Sequence, residues 1–249
     1  LGVDFGNGYY LYPVSGIAIN PVTNLLHLLK LRDQNLHVSV SAPREEWFRD
    51  MLYGLFQGPR YHCVPGNVRL RIDGRTLTDV DAVVFQKDTN ALALFQLKWQ
   101  DFGSFDGREV TSKATNLVGG LNKWVEQIEV WEETADLNNY RNTFRIPDIR
   151  DDRPLRVFNF GVCKTLSRIL AFAGDEVHQN IAVSNWPQFV AASLDLVGSS
   201  DTFRELFLRL QAEYRYSAAV DPHPVLVKCG DERIRLENLV QTVRDKPIG

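Results

Sequence analysis

Hydrophobic and polar positions follow distinct spacings along the chain, and each spacing predicts a kind of element. Between Pro43 and Phe56 the apolar residues recur every three or four positions, which predicts a helix with one face packed on a sheet. From residue 61 to 72 apolar and polar residues alternate, and the following Asp73-Gly74 is a strong hairpin dipeptide. The pattern therefore predicts a helix followed by a first strand or strand pair.

The middle of the chain continues with strand patterns and a long helix. A strand is predicted over residues 77–85, and the next run, Ala91–Trp99, is apolar on both faces, as in a central strand covered on both sides. A helical pattern then runs from Ser112 to Trp131, which Gly119-Gly120 could interrupt. Two more strands are predicted, over 155–163 and 181–184. The order helix, three strands, helix, strand predicts an α/β fold with a central mixed sheet flanked by helices.

These elements divide the chain into a core with additions at both ends. The core is predicted to span residues 42–190. An N-terminal strand and loop extension covers residues 1–41, with one helix at 25–31. A C-terminal helical extension covers residues 191–249, with a helix at 203–216, a short strand at 225–227 and a terminal helix. The helix at 203–216 is interpreted as decoration on the core.

A glycine-rich turn lies near the start of the chain, at residues 4–8. Its sequence, Asp-Phe-Gly-Asn-Gly, resembles the phosphate-binding turn of actin-like ATPases. Asn-Gly is also the commonest hairpin dipeptide, and the rest of an actin-like fold has no counterpart in the sequence. A plain hairpin is therefore the favoured interpretation.

Composition and charge narrow the class of protein. The 249 residues are 44% hydrophobic and 24% charged, which suits one large globular domain. The net charge is −3, so any nucleic-acid contact must come from local basic patches. Three cysteines without paired spacing favour a reducing cytoplasm, and no apolar run reaches the roughly 20 residues that cross a membrane. The chain begins with Leu rather than Met, which suggests a larger parent chain.

Candidate chemistry gathers where the central strand loses its apolar character. Gln96 and Lys98 lie two residues apart, so they share one face of that strand. Burying an amide or an ammonium without a partner costs free energy, which a functional site would explain. Asp81 lies on the preceding strand, with Asp79 on the same side, and a hairpin would bring the two strands together. A carboxylate beside an amide and an ammonium is the minimum equipment for metal-assisted hydrolysis of a phosphodiester.

Over residues 44–184 this order of residues resembles the PD-(D/E)XK, or restriction-endonuclease-like, superfamily of nucleases. The resemblance implies an α-β-β-β-α-β core and a bound magnesium or manganese ion (Mg2+ or Mn2+). Asp81 matches the first, metal-binding acid, and Lys98 matches the lysine that positions or activates water. Gln96 stands where most members carry an acid, as in the Gln-x-Lys motif of Mrr-like restriction enzymes.

Because an amide oxygen is a weaker ligand than a carboxylate, the resemblance implies that other groups complete the site. The expected metal ligands are Asp81, Gln96, the backbone carbonyl of Leu97 and Asp79. A glutamate of the first helix supplies the missing acid, and a glutamine of the long helix supports the site: Glu45 or Glu46, and Gln127. Two alternatives stay open, since Lys98 could extend to solvent from a strand end and Asp79 could be a solvated or turn-capping carboxylate.

Basic and aromatic residues suggest how a nucleic acid could be held. Arginines surround the first hairpin and precede the fourth strand: Arg69, Arg71 and Arg75, then Arg141, Arg145, Arg150, Arg153 and Arg156. They could bind phosphates, but aspartates interleave with the second set, so an exposed, salt-bridged loop is an equal alternative. Trp99 and Trp124 could stack on a base, although a core position is the favoured interpretation. The five histidines show no metal-binding or triad spacing.

The function implied by the resemblance is a magnesium-dependent nuclease that hydrolyses DNA in defence or repair, in the cytoplasm and away from membranes. DNA is the expected partner, and the protein could act as a homodimer. The alternative is a catalytically inactive, nuclease-like module that binds nucleic acid or a protein. Gln96 and the low net charge favour this alternative.

Overall fold

The computed structural model describes residues 3–4, 10–11, 32, 34–99, 107–164, 176–218, 225–229 and 232–236. The helices in these ranges are α1 (Gln34–Gly54), α2 (Gly107–Glu132), α3 (Leu137–Phe144), α4 (Trp186–Asp195) and α5 (Thr202–Ala218). The first strands are β1 (Val3–Asp4), β2 (Tyr10–Leu11), β3 (Tyr61–Val64), β4 (Val68–Ile72), β5 (Arg75–Val80) and β6 (Ala82–Gln86). The later strands are β7 (Ala91–Lys98), β8 (Arg156–Cys163), β9 (Ile181–Asn185), β10 (Val225–Cys229) and β11 (Glu232–Leu236).

A mixed five-stranded sheet organises the fold, with strand order β3-β6-β7-β8-β9. The first three strands of this order pair antiparallel, and β7, β8 and β9 pair parallel. Because parallel neighbours need a crossover, α2 lies between β7 and β8 in the chain. The predicted α/β class and the mixed central sheet are confirmed, with β9 as a fifth strand.

Helices cover both faces of the sheet, and the alternation along β7 separates the two cores. Leu92 and Leu94 pack against α2 and α3 on one face, here called the α2 face. Ala93, Phe95 and Leu97 pack against α1, α4 and α5 on the other, here called the α1 face. Since β7 is buried along nearly its whole length, the prediction of a central, doubly covered strand is confirmed.

The prediction of one continuous strand over residues 77–85 is wrong. β5 ends at Val80 and pairs only with β4 in a separate two-stranded sheet, whereas β6 begins at Ala82 and joins the central sheet. Asp81 is the bend between them. The β4–β5 hairpin closes at Asp73-Gly74, where both residues have positive φ (50° and 78°), so the predicted turn is confirmed.

Several helix boundaries also differ from those predicted. α1 begins at Gln34 rather than at Pro43, and α2 continues through Gly119-Gly120 without a break. Its buried residues on both sides of the glycines, such as Leu117 and Leu121, hold the helix on the sheet. Part of the predicted arginine-rich loop is α3, which begins with a reciprocal capping box between Asp136 and Asn139.

The additions at the two ends differ from the prediction in part. α5 is not decoration, because Phe203, Leu206 and Leu210 are buried in the core of the α1 face. The predicted strand at 225–227 is part of β10, which pairs with β11, and residues 237–249, after β11, lie outside the described residues. Val3 and Leu11 are antiparallel partners, which agrees with the plain hairpin interpretation, whereas residues 5–9 between β1 and β2 lie outside the described residues. The helix predicted at 25–31 lies outside the described residues.

Close packing at Gly161 sets the distance between α2 and the sheet. A Cβ at Gly161 would lie 3.0 Å from Leu121 Cδ2 and 3.2 Å from Ile181 Cδ1. Gly161 is also the register partner of Gln96 on β7. The missing side chain therefore lets α2 cover the row of residues that contains Gln96.

Gly161→Ala should lower the free energy of unfolding by about 1–2 kcal/mol, because Leu121 and Ile181 must move to admit a methyl group. The matched control is Gly119→Ala, where nothing lies within 4 Å of the added Cβ. That helical substitution should raise stability by about 0.5–1 kcal/mol. Urea unfolding measures both, and an unchanged midpoint for Gly161→Ala would rule out tight packing there.

Among the described helices, none combines the length and the apolar character needed to cross a bilayer.

Candidate active site

The end of β7 and the bend before β6 place three polar residues on the α2 face. Gln96 and Lys98 continue the alternation of Leu92 and Leu94 along β7. The backbone N–H of Asp81 donates to the carbonyl of Phe95 at 3.0 Å, which sets Asp81 opposite Gln96. The structure thus brings the predicted acid and amide together across the β6–β7 pair.

The Asp81 carboxylate is buried and hydrogen-bonded on one side. Its Oδ2 accepts from Gln96 Nε2 and from the backbone N–H of Leu97, the latter at 2.7 Å. Asp81 is 9% exposed and Gln96 6%. Burial raises the pKa of Asp81 to about 6, although the Leu97 N–H and the charge of Lys98 oppose the rise. Within the described residues, no group donates a hydrogen bond to the second oxygen, Oδ1.

Lys98 lies half-buried at the end of β7. Its positive charge lowers the pKa of Asp81 and partly offsets the effect of burial on the pKa of Cys163. Cys163 is its register partner on β8. Lys98 is therefore close enough to Asp81 to stabilise negative charge there, and it forms no ion pair with any carboxylate in the described part of the chain.

Arg49 is the residue of α1 that reaches this region, and the sequence analysis missed it. Its Nε donates to the backbone carbonyl of Asp81 at 2.6 Å, and its Nη2 donates to the side chain of Asn67. Asn67 directly precedes β4 and Asp81 directly follows β5, so these contacts connect α1 to both ends of the β4–β5 hairpin. Arg49 thereby holds the bend at Asp81 in place. The only sequence signal is a charged residue directly after Phe48 in the apolar stripe of α1.

The other predicted site residues are placed less favourably. Glu45 and Glu46 are exposed on α1, and neither bonds to Asp81, Gln96 or Lys98 among the described contacts. By helical spacing Glu45 lies one turn before Phe48 and Arg49, and Glu46 lies one turn before Arg49. Gln127 is half-buried on α2, one turn beyond Trp124, and makes no hydrogen bond to Asp81, Gln96 or Lys98 among the described contacts.

Asp79 lies on β5 rather than on the strand of Asp81, so the expectation that both project from one strand is wrong. Its side chain is exposed. Its backbone carbonyl accepts a hydrogen bond from Trp124 Nε1 at 2.7 Å, and its charge raises the pKa of Asp81. Asp79 is thus a near neighbour of the site, on the hairpin that packs under α2.

The oxygen atoms around Asp81 can be compared with what a magnesium ion requires. In the described residues, no group of three or more histidine, cysteine, aspartate and glutamate side chains could hold a metal. The available donors are Asp81 Oδ1, the Gln96 amide oxygen after rotation of that amide, and the carbonyl of Leu97. Because the N–H and C=O of a strand residue point to the same side, the Leu97 carbonyl faces the edge on which its N–H meets Asp81. One carboxylate with neutral oxygens and water fits magnesium, which retains several waters in most protein sites.

The arginines singled out in the sequence fall into two groups. Three of those that lie from α3 to the start of β8 are paired: Arg141 with Asp151 at 2.8 Å, Arg150 with Asp152 at 2.7 Å, and Arg156 with Asp201 at 2.7 Å. The salt-bridged interpretation holds for these three. Arg69, Arg71 and Arg145 instead line one open cavity of about 430 Å³ and have no ion pair within the described residues.

Two hydrogen bonds through Arg49 connect this cavity to the candidate site. Asn67 lines the cavity and accepts a hydrogen bond from Arg49, which in turn donates to the Asp81 carbonyl. Val64 and Val68, which also line it, belong to the core of the α2 face. The basic cavity therefore lies on the same side of the sheet as Asp81.

Comparisons with protein-family models, with curated proteins and with solved structures found no match for this chain. The function of the chain is therefore inferred from the geometry of the site.

Proposed function

We propose that this chain is a metal-dependent nuclease of restriction-endonuclease-like fold that hydrolyses DNA phosphodiester bonds in the cytoplasm. The observation that carries the proposal is the contact between Asp81 and Gln96 at the strand end occupied by Lys98. The topology supports it, because α1, the antiparallel strands β3, β6 and β7, then α2 and the parallel strand β8 follow the α-β-β-β-α-β order. The β4–β5 hairpin is an insertion in this order.

Each residue of the site has a distinct task in such a reaction. A bound divalent ion would supply a Lewis acid and lower the pKa of a coordinated water. Asp81 Oδ1, the Leu97 carbonyl and the rotated Gln96 amide would hold that ion. The Lys98 ammonium orients the attacking water and stabilises the negative charge that grows on the phosphoryl oxygens.

Hydrolysis adds one water across a P–O bond. The water oxygen bonds to phosphorus, the ester oxygen on the opposite side leaves, and it takes up a proton from solvent as the attacking water loses one. The burial of Asp81 helps this chemistry, because a desolvated carboxylate gains more from a nearby cation than an exposed one.

The arginine-lined cavity supports DNA as the substrate. Its three arginines lie on the same side of the sheet as Asp81, and guanidinium groups bind phosphates with two hydrogen bonds. A net charge of −3 then does not argue against DNA binding, because the positive charge is local.

The combined substitution of Arg69, Arg71 and Arg145 by alanine should weaken DNA binding and reduce its salt dependence. Each lost phosphate contact should reduce the slope of log K against log salt by about 0.9 for duplex DNA. Fluorescence anisotropy in EDTA at several salt concentrations measures the slope without cleavage. Arg150→Ala is the control, since Arg150 is paired with Asp152, and it should keep the wild-type slope. An equal slope for the triple variant and for Arg150→Ala would exclude the cavity from the DNA interface.

The proposal itself is tested by incubating supercoiled plasmid with the wild-type protein in magnesium or manganese and in EDTA. Nicked or linear product that requires the metal supports a nuclease. Intact plasmid under all conditions, over a range of pH and of DNA forms, would contradict it.

A second candidate function is a non-catalytic module that binds nucleic acid or a protein. Two observations favour it: residue 96 is a glutamine where most members of the resembled superfamily carry an acid, and no cluster of three metal-binding side chains occurs in the described residues. DNA binding that persists in EDTA, with no cleavage and no heat of metal binding, would select this candidate.

A further inference from the structure

Three of the five tryptophans gather around one lysine at the carboxyl end of the parallel strands. Trp47 belongs to α1, Trp99 follows β7, Trp186 begins α4, and Lys164 follows β8. The Nζ of Lys164 lies 4.7 Å from the ring centre of Trp47, 5.2 Å from that of Trp99 and 5.9 Å from that of Trp186. These four residues are called the tryptophan platform below.

The platform is open to solvent, unlike the other tryptophans of the chain. Trp47 is 50% exposed, and Trp99 and Trp186 are half-buried. Trp124 and Trp131, by contrast, are 3% and 4% exposed in the core of the α2 face. An indole that serves only packing does not need to leave half of its surface in water, so the exposed ring of Trp47 is a candidate binding surface.

The charge on the platform is positive. Lys164 forms no ion pair with a carboxylate within the described residues, and Arg44 holds its guanidinium 5.8 Å from the ring centre of Trp99. Arg44 lies three positions before Trp47 and so shares its side of α1. Glu45 and Glu46 project on other sides of the helix. An anionic ligand with a flat apolar part would match these groups.

The platform touches the strand ends that form the candidate active site. The backbone N–H of Lys164 donates to the carbonyl of Lys98 at 2.9 Å, and Trp99 directly follows Lys98. Lys98 projects on the α2 face and Trp99 packs on the α1 face. A nucleic-acid strand that crosses the end of the sheet would therefore meet both.

We infer that the tryptophan platform binds an unpaired nucleotide, with its base stacked on the exposed ring of Trp47 and its phosphate paired with Lys164. A base in a duplex offers no free face to a ring, so the platform selects single-stranded or locally unpaired DNA. The inference deepens the proposed function and rests on it for its place in cleavage, since it names the form of DNA that reaches Asp81. Binding itself needs no metal.

Two measurements in EDTA test the inference: a titration of the intrinsic tryptophan fluorescence of the wild-type protein with oligothymidine, and the fluorescence anisotropy of labelled oligothymidine with each protein, with a fully paired duplex in parallel. Wild-type fluorescence should be quenched by the single strand. Trp47→Ala should weaken single-strand binding by about tenfold or more, while Trp47→Phe, which keeps a ring, should lose less. Duplex binding should be equal in all three proteins.

Two controls separate the platform from general effects. Leu208→Ala removes another exposed apolar side chain, on α5, and should bind like wild type. Lys164→Met should weaken binding and lower its salt dependence, whereas Lys164→Arg should retain both. Equal single-strand affinity in wild type and in folded Trp47→Ala would overturn the inference, as would the absence of quenching.

The outcomes also distinguish this inference from the proposed function. If the plasmid is cleaved but Trp47→Ala retains full single-strand affinity, the nuclease proposal stands and the platform inference fails. If wild type never cleaves but Trp47→Ala loses single-strand affinity, the platform inference stands alone.

Discussion

Replacing Lys98 with alanine will reduce metal-dependent DNA cleavage by at least about 100-fold, the range expected for loss of a catalytic cation or proton-transfer group. Lys98 is the positively charged side chain whose field reaches Asp81, and no carboxylate in the described residues neutralises it. Without it, no ammonium would orient the water or stabilise the phosphoryl charge. Initial rates of plasmid nicking in magnesium measure the effect.

The fold should survive this substitution, because Lys98 is half-buried at a strand end and ion-paired to nothing that the structure describes. The far-ultraviolet circular dichroism and the urea midpoint should therefore stay close to those of wild type. Lys123→Ala, at an exposed position of α2, is the matched control and should cleave normally. A Lys98→Ala protein that cleaves at the wild-type rate would show that Lys98 merely extends into solvent.

Asp81→Asn will have opposite effects on cleavage and on stability. It removes the carboxylate of the site, so metal-dependent cleavage should fall to background. It also removes a charge that is costly to bury, so in EDTA at pH 8 the variant should be more stable than wild type by on the order of 2–3 kcal/mol. The physical cause is the desolvation that raises the pKa of Asp81 from 3.8 to about 6.

The raised pKa of Asp81 determines how the stability of the wild-type protein changes with pH. A carboxyl group with a raised pKa binds its proton more tightly in the folded protein, so the wild-type protein gains stability as pH falls from about 6 toward 4. The advantage of Asp81→Asn should therefore be full above about pH 6 and disappear near pH 4. Urea unfolding across this range in EDTA measures it.

Asp79→Asn is the matched control, since Asp79 is an exposed neighbour of Asp81 on β5. Its stability should change by less than about 0.5 kcal/mol. A loss of stability in Asp81→Asn at every pH would instead mean that the carboxylate serves mainly as an acceptor for Leu97 and Gln96.

The sequence could predict the parts of the site that depend on local periodicity. Residues of β7 are apolar at successive positions, which indicates a strand covered on both faces. Alternation along the strand then places Gln96 and Lys98 on one face. The contact with Asp81 follows once the turn after Gln86 returns the chain antiparallel.

The bend at Asp81 could not be predicted in the same way. The run from Leu77 to Phe85 alternates as one strand would, and nothing local in it requires a break. The Asp73-Gly74 hairpin pairs β5 with β4, and that pairing leaves β6 alone to join the central sheet. Strand partners are a tertiary choice, which a local pattern does not encode.

Residues that meet only in the folded chain were missed for the same reason. Arg49 reaches Asp81 from α1, and Lys164 meets rings from α1, from Trp99 just after β7 and from α4. No spacing in the sequence connects them, because their contacts depend on how the helices lie on the sheet. The resemblance favoured Glu45 or Glu46 over Arg49, although each glutamate lies about one helical turn before Arg49.

A calorimetric titration of manganese into the metal-free wild-type protein and into Asp81→Asn at pH 8, without DNA, tests most directly whether Asp81 holds a metal. We expect saturable heat of binding to one site in the wild-type protein, at millimolar concentrations or below, and no such heat in the variant. No binding by the wild-type protein, or equal binding by both proteins, would contradict the claim that Asp81 and its neighbours form a metal-dependent catalytic centre.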